Sequence, residues 1–278
     1  MHCLLFPGQG VQRRGMGAGL FEEFGELTAA ANAVLGYSVE ELCLRDEQRR
    51  LRDTRYAQPA VFFVNALLGR KLLAERPGAY DRLAGHSLGE YNALVLAGCL
   101  DLLDALVLVR RRAELMAQVT GGGMAAVVGV PGVLVERALR ETQLSKVYIA
   151  NRNADLQTTI AGDSAELLVA TKAMATLPGA RVVRVNVSGP FHTPLMEPVE
   201  AALAELLRGC AFTAGQLPVH SSVTGELFDP ADAVDLLSRQ VSTPVEWIRT
   251  VRGLRAAGVS RFDEVNGRTL LPLTEGIR

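Results

Sequence analysis

The chain has 278 residues, of which 49% are hydrophobic and 21% charged, and a formal net charge of −1. That length holds one large core, or a core domain with a smaller insert, while the near-neutral balance gives no attraction for nucleic acid or an anionic membrane. No apolar run is long enough to cross a bilayer, and the four cysteines (Cys3, Cys43, Cys99, Cys210) have neither CxxC pairing nor ligand-spaced histidines, so structural zinc is not expected.

The first residues, Met1-His2-Cys3-Leu4-Leu5-Phe6, lack the basic start and cleavage site of a secretion signal, and the scattered cysteines point to a reduced, cytoplasmic protein with ordinary buried thiols. Residues 2–6 read as a short buried strand with His2 exposed at its start, ending at the turn Pro7-Gly8-Gln9-Gly10. Residues 18–35 and 57–76 read as helices, the second with Pro59 in its first turn. Leu83-Ala84 ends another strand, followed by Gly85-His86-Ser87-Leu88-Gly89 and a helix to about Leu96. Asp101 then caps a periodic helix reaching about Gln118. Helices alternating with short strands predict an α/β fold with a mainly parallel sheet.

Gly121-Gly122-Gly123 interrupts that pattern. The next elements read as a strand (124–130), a helix (132–142), strands at 146–151 and 156–161, a helix (164–176) and a strand (181–187). This βαββαβ order is the ferredoxin-like arrangement. The expectation is a large α/β-hydrolase-like domain over 1–122 and 188–278, with a small domain inserted at 123–187 and three further helices with short strands beyond Val187. A cleft between host and insert is the expected ligand site.

Residues 85–89 satisfy G-x-S-x-G, in which a sharp strand-to-helix turn requires glycine two residues either side of the serine. Ser87 then stands at a helix N-terminus, where free N–H groups favour an oxyanion. One reading makes Ser87 a nucleophile; the other makes it a serine that merely caps a helix. A serine nucleophile needs a base, and only His2, His86, His192 and His220 are available. His86 adjoins Ser87, from which its side chain diverges, and suits packing or hydrogen bonding. His220 follows Pro218-Val219 in a predicted strand. His192, in Ser188-Gly189-Pro190-Phe191-His192-Thr193-Pro194, lies at the junction with the small domain and is the leading base given Ser87.

On the 101–118 helix, Leu102, Leu106, Val109, Ala113 and Met116 form an apolar stripe. Arg111 points away from it and Arg110 lies to one side, whereas Arg112 flanks it, partly buried and in need of an anion. An internal carboxylate or a ligand's anion would each serve.

Together these stretches resemble the malonyl-CoA:acyl carrier protein transacylase family. The matching residues run in order along essentially the whole chain: Phe6-Pro7-Gly8-Gln9-Gly10, Gly85-His86-Ser87-Leu88-Gly89-Glu90, Arg112 with Met116, Asn151-Arg152-Asn153 with Gln157 and Gly162, Phe191-His192, and Gln240 before Pro244-Val245-Glu246-Trp247. The resemblance implies Ser87 as nucleophile and His192 as base in a two-residue dyad, with His192 oriented by the main-chain carbonyl of Gln240. It implies an oxyanion hole from the N–H groups of Gln9 and Leu88, a bidentate clamp from Arg112 on the malonyl carboxylate, and further substrate contacts from Met116, Phe191 and Gln157. Phe191 would border the malonyl C2 carbon and disfavour methylmalonyl.

The implied reaction is ping-pong acyl transfer from malonyl-CoA, through a Ser87 ester, to the phosphopantetheine thiol of an acyl carrier protein, by a monomer using no cofactor or metal. The family's Glu-Val-Gly-Pro-Gly stretch is altered here to Glu264-Val265-Asn266-Gly267-Arg268, and the chain ends soon after. That short end and the Gly-Pro-Phe-His stretch favour a trans-acting polyketide role over supply to fatty acid synthesis. The rivals are a hydrolase that clears stalled carriers, for which the carboxylate clamp has no use, and a catalytically dead carrier-docking scaffold. Carrier proteins being acidic, Arg49-Arg50-Leu51-Arg52 could assist docking; a solvated helix face is the plainer reading.

Overall fold

The computed structural model describes residues 1–278. The chain opens with β1 (His2–Phe6), α1 (Leu20–Glu23), α2 (Gly25–Leu35), α3 (Val39–Leu44) and α4 (Thr54–Glu75). Then come β2 (Arg82–Gly85), α5 (Leu88–Ala97) and α6 (Leu102–Gln118). A second run holds β3 (Gly122–Val128), α7 (Gly132–Thr142), β4 (Val147–Ala154), β5 (Gln157–Asp163), α8 (Ser164–Ala175) and β6 (Arg181–Val185). The chain finishes with α9 (Glu197–Leu207), β7 (Val219–His220), α10 (Ala233–Arg239), α11 (Trp247–Ala256), β8 (Arg261–Glu264) and α12 (Leu270–Glu275). No helix is long and apolar enough to cross a membrane.

The first sheet is parallel throughout, in the order β7-β2-β1-β8. Its central strand is buried on both faces, which is why His2–Phe6 reads as an apolar run rather than an alternation. Leu4 and Phe6 enter the main core, while Cys3 and Leu5 join a second cluster with Trp247, Val251 and Leu254 of α11. The second sheet is antiparallel, in the order β4-β5-β3-β6. On β3, Ala125 and Val127 pack with α7 and α8 residues such as Val135 and Met174, whereas Met124 and Ala126 on the opposite face line the cleft beside the parallel sheet. The period-2 alternation of a strand thus separates a local core from the functional cleft.

Several local expectations are corrected. The helix expected over 18–35 is broken at Phe24 (φ −110°, ψ 45°), just before Gly25, a poor helix former. The next long helix starts at Thr54, because the Asp53 carboxylate accepts the Arg55 N–H at 2.9 Å. Pro59 therefore falls in the second turn, where it removes the hydrogen bond to Arg55 O. Gly122 and Gly123 are not a break but part of β3; a Cβ on Gly122 would lie 2.7 Å from the Pro190 ring and 2.8 Å from Gly162 O. The strand limits shift accordingly.

Four α-helices follow residue 187, not three. The extra one, α12, follows the altered Asn266-Gly267 loop, where Glu264 accepts the N–H groups of Thr269, Leu270 and Leu271 at 2.8, 2.8 and 2.9 Å. His2 is not exposed: its side chain is 12% accessible, 3.3 Å from Asp263 of β8 and packed on Tyr80. The Arg49–Arg52 cluster is not a solvated helix face. Arg50–Arg52 forms a single 3-10 turn, Leu51 is buried, and the Arg50 guanidinium lies 3.9 Å from the Tyr56 ring centroid.

Candidate active site

The site is built on the β2–α5 connection. Ser87 is the turning residue, with φ 52° and ψ −112°, a backbone conformation disfavoured for any residue with a Cβ. A Cβ on Gly85 would lie 2.0 Å from the carbonyl carbon of Gly89, and one on Gly89 would lie 1.9 Å from Phe6 O. Glycine at both positions is thus a requirement of main chain packed against main chain. The loop after β1 closes in equally tightly, since a Cβ on Gly8 would meet His86 O at 2.8 Å. The N–H groups of Gln9 and Leu88, on the two sides of this approach, are engaged by no other main-chain group.

His192 arrives from a different part of the chain, on the segment between β6 and α9, also with positive φ (61°). Its Nε2 lies 2.9 Å from Ser87 Oγ, and its Nδ1 lies 2.7 Å from the carbonyl oxygen of Gln240. A carbonyl can only accept, so Nδ1 carries the proton and Nε2 presents its lone pair to the hydroxyl. Burial, followed by the positive charge of Arg112, pulls the imidazole pKa down to about 3, against the opposing pull of the Gln240 carbonyl. The ring is therefore neutral at physiological pH and able to take a proton.

Arg112 is more deeply placed than its flanking position on the helix suggests, at 1% exposure. Its Nη1 donates to Gln58 Oε1 at 2.7 Å, and its Nη2 to Gln240 Oε1 at 2.9 Å and Ser87 Oγ at 3.2 Å. These partners are all neutral, Nε has none, and burial lowers the guanidinium pKa. The internal salt bridge that the sequence left open is absent. A buried cation held by amides, a hydroxyl and the Tyr91 ring 5.7 Å away has no paired anion, and an entering carboxylate would supply one.

Met116, Phe191 and Gln157 line the same cleft of about 250 Å³ as Ser87, His192, Arg112, Gln9 and Leu88. Gln240 stands behind the dyad at 1% exposure. None of the remaining histidines is placed as the base, although His86 borders the same cleft. His86 bonds Asn153 Oδ1 at 3.0 Å and packs on Trp247, while His220 bonds Gly225 O at 3.1 Å on the edge strand. No cluster of three His, Cys, Asp or Glu side chains is disposed to hold a metal ion.

Sequence reasoning missed two residues that organise the centre. Gln58 supports Arg112 and also donates to Gln9 Oε1 at 3.3 Å. A signal existed: Gln58 and Asn65 lie seven apart on one face of an apolar helix, and both are buried. Glu90 is fully buried, and its Oε2 accepts from Ser222 Oγ at 2.6 Å and Gln240 Nε2 at 2.7 Å. Burial raises its pKa, opposed by those hydrogen bonds.

Comparison with known proteins agrees with this architecture. Residues 3–261 match the acyl transferase domain model. The chain is 40% identical over 280 residues to the polyketide biosynthesis malonyl CoA-acyl carrier protein transacylase PksC of Bacillus subtilis, covering 100% of this chain and 97% of that protein. Other relatives are longer: polyketide biosynthesis protein PksE of the same organism is 39% identical, and the chain spans only 36% of it. Among solved structures, malonyl CoA-acyl carrier protein transacylase from Burkholderia pseudomallei superposes with a TM-score of 0.95 at 40% identity, over 100% of this chain and 98% of that one. A malonyl-transacylase solved in complex with its type II polyketide synthase acyl carrier protein has a TM-score of 0.93 at 33% identity, over 99% of this chain and 92% of that one. Full-length identity of this order, on a matching fold, makes the chain a member of the malonyl CoA-acyl carrier protein transacylase family.

Proposed function

We propose that this protein transfers a malonyl group from malonyl-CoA to the phosphopantetheine thiol of an acyl carrier protein, through an ester on Ser87. The convergence of Ser87, His192 and Arg112 in one small cleft carries the proposal. In the first half-reaction the Ser87 proton passes to His192 Nε2 as Oγ bonds to the thioester carbonyl carbon. The carbonyl oxygen becomes an oxyanion facing the N–H groups of Gln9 and Leu88. The carbon–sulfur bond then breaks, the proton passes from Nε2 to the departing thiolate, and malonyl remains as the Ser87 ester. In the second half-reaction the carrier thiol gives its proton to Nε2 as its sulfur bonds to the ester carbonyl carbon; the carbon–Oγ bond then breaks and the proton passes from Nε2 to Oγ, regenerating Ser87. Arg112 would exchange its contact with Ser87 Oγ for the malonyl carboxylate, orienting the acyl group. Met116, Phe191 and Gln157 would shape the rest of the pocket, Phe191 discriminating against methylmalonyl by ~1–3 kcal/mol.

The transfer needs no cofactor or metal beyond the thioester donor and the carrier thiol, and we place it in the cytoplasm, on a monomer. The carrier as partner is supported by the relative solved with its carrier protein. Service to polyketide synthesis is supported by 40% identity to PksC, against 34% for the Escherichia coli malonyl CoA-acyl carrier protein transacylase. We also read residues 123–187 as a ferredoxin-like unit inserted into an α/β-hydrolase-like domain of residues 1–122 and 188–278. The β4-β5-β3-β6 strand order and the separate apolar cluster between that sheet and α7 and α8 support this.

Intact-protein mass spectrometry after incubation with malonyl-, methylmalonyl- and acetyl-CoA tests the proposal. A malonyl adduct is expected, absent in Ser87→Ala. Adding a holo-carrier should move the label onto the carrier; label released only as free malonate would replace the transferase with an editing hydrolase, and no adduct at all would leave a scaffold.

A further inference from the structure

A hollow of about 910 Å³ lies outside the acyl cleft, where the turn of Arg50–Arg52 and the start of α4 face the later half of α6. Arg49, Arg52, Arg55 and Arg110 stand around it with two carboxylates, Asp53 and Glu114. Asp53 is taken by Arg55, and Glu114 is shared by Arg110 and Arg111. Arg49 and Arg52 are exposed and in no ion pair, so the positive charge of the rim is uncompensated. Their backbone is nonetheless fixed: Leu51 is buried between them, Asp46 Oδ1 accepts the Leu51 N–H at 3.2 Å, and Arg50 stacks on Tyr56.

This hollow adjoins the acyl cleft. Ser188 belongs to its wall, and Ser188 Oγ lies 3.1 Å from Thr54 Oγ1, which accepts from Gln9 Nε2 at 3.2 Å. Gln9 accepts from Gln58, Gln58 accepts from Arg112, and Arg112 reaches Ser87 Oγ. An unbroken line of polar side chains therefore runs from the basic rim to the nucleophile, four residues along the chain from Ser188 to His192 completing the same wall.

We propose that this groove, rimmed by Arg49 and Arg52, is the docking surface for the acidic face of the carrier protein, from which the phosphopantetheine arm enters the acyl cleft. The inference rests on the transferase function proposed above and adds to it the place where the partner sits. The character of the charge selects the occupant. A discrete phosphate site is made by convergent, held donors, and here the two paired arginines, Arg55 and Arg110, are already consumed by carboxylates. What remains is positive charge on long rim side chains, which acts by steering and orienting a broad acidic surface. Glu41, Asp46 and Glu47 line a separate hollow on the other side of Arg50 and limit the basic face to the side towards Ser188.

The test separates the two half-reactions in the full-length protein, using a purified type II synthase holo-acyl carrier protein as probe. In Arg49→Glu/Arg52→Glu, the KM for the carrier is expected to rise at least tenfold with kcat little changed, while acylation of Ser87 by malonyl-CoA stays within twofold of the parent. The fall of kcat/KM with added NaCl, expected in the parent, should flatten in this variant. Arg49→Lys/Arg52→Lys, which keeps the charge, should retain the parental KM within about twofold. An unchanged carrier KM in the charge-reversed protein overturns the docking site. Equal loss of acylation from malonyl-CoA also overturns it, assigning the groove to the nucleotide phosphates of coenzyme A. Failure of the parent itself to acylate Ser87 would instead remove the transferase function beneath it.

Discussion

Gln240 donates its side-chain Nε2 to the buried carboxyl oxygen Oε2 of Glu90 at 2.7 Å, across 150 residues of sequence. The same amide turns its Oε1 to Arg112 Nη2 at 2.9 Å, and the same residue's main-chain carbonyl holds His192 Nδ1 at 2.7 Å. One residue thus fixes the base through its backbone and the guanidinium through its side chain. An amide suits this position because its two ends offer a donor to the acid and an acceptor to the cation.

Gln240→Ala separates these duties. The main-chain bond to His192 survives, but Arg112 loses a neutral acceptor and Glu90 loses a donor, both in the interior. Leaving two buried polar groups short of partners should cost about 2–4 kcal/mol of stability. Because the lost side chain holds Arg112 directly at 2.9 Å and touches the dyad only at the Ser87 main-chain carbonyl, 3.2 Å from Nε2, malonyl loading should fall ten- to a hundredfold while acetyl loading falls less. Urea denaturation and single-turnover acylation with both thioesters check this; equal losses would place the side chain's effect on the dyad instead.

Arg112→Ala tests the clamp directly. Two charge-assisted hydrogen bonds to a carboxylate, at about 1.5–3 kcal/mol each, correspond to a loss of at least a hundredfold in kcat/KM for malonyl-CoA. Acetyl-CoA carries no such carboxylate and should load at an equal or higher rate. Arg112→Lys should restore only part of the malonyl rate, since an ammonium offers a point charge in place of a planar fork. A parallel fall for malonyl and acetyl would show that Arg112 acts through Ser87 Oγ, 3.2 Å away, and not through the substrate.

The extent to which this site could be read from sequence follows from how local each signal is. The Ser87 turn was legible because its steric demand falls on five consecutive residues, and Arg112 because a charge beside an apolar stripe is visible on one helix. That Arg112 would be wholly enclosed was not visible, since Gln58 and Gln240 reach it from elements 54 and 128 residues away. Glu90 was legible only as the last letter of a motif; what it does depends on Ser222 and Gln240 arriving from the far end of the chain. At α4 two local signals competed. Pro59 suggested a start near residue 57, yet Asp53 capped the helix three residues earlier, and a side-chain cap outweighs a proline that the second turn can tolerate.

His192 gives a pH prediction with a definite sign. Its pKa in the folded, unliganded protein is pulled to about 3, whereas an exposed histidine titrates near 6.5. The acid limb of kcat/KM, which reports the free enzyme, should therefore fall well below pH 6.5. A bound carboxylate neutralises Arg112 and removes its repulsion of the imidazolium, so the acid limb of kcat should lie higher than that of kcat/KM. Linkage sets the stability trend as well: between pH 6.5 and about 3 the unfolded chain binds the proton that the folded chain refuses. The contribution is present in full above pH 6.5 and declines as pH falls through this window. Denaturant midpoints at several pH values should show a shallower acid-side loss in His192→Ala than in the parent. A kcat/KM limb centred near 6.5 would mean that the imidazole is not buried beside Arg112 as described.

The backbone at Ser87 supplies a prediction independent of chemistry. A φ of 52° with a ψ of −112° crowds any Cβ, and strain of this kind costs about 1–3 kcal/mol. Ser87→Ala and Ser87→Gly both remove the nucleophile and the contact with Arg112, so neither should form an acyl adduct. They differ in the Cβ alone. Glycine relieves the strain but loses about 0.5–1 kcal/mol through the greater freedom of its unfolded chain. The net expectation is that Ser87→Gly is more stable than Ser87→Ala by about 1 kcal/mol, read as a higher urea midpoint at an unchanged m-value. Gly89→Ala should behave oppositely, because its new methyl would lie 1.9 Å from Phe6 O, main chain that cannot move without opening the β1 loop. It should lose both stability and acylation. If Ser87→Gly were instead the less stable of the pair, the Ser87 turn would not be strained.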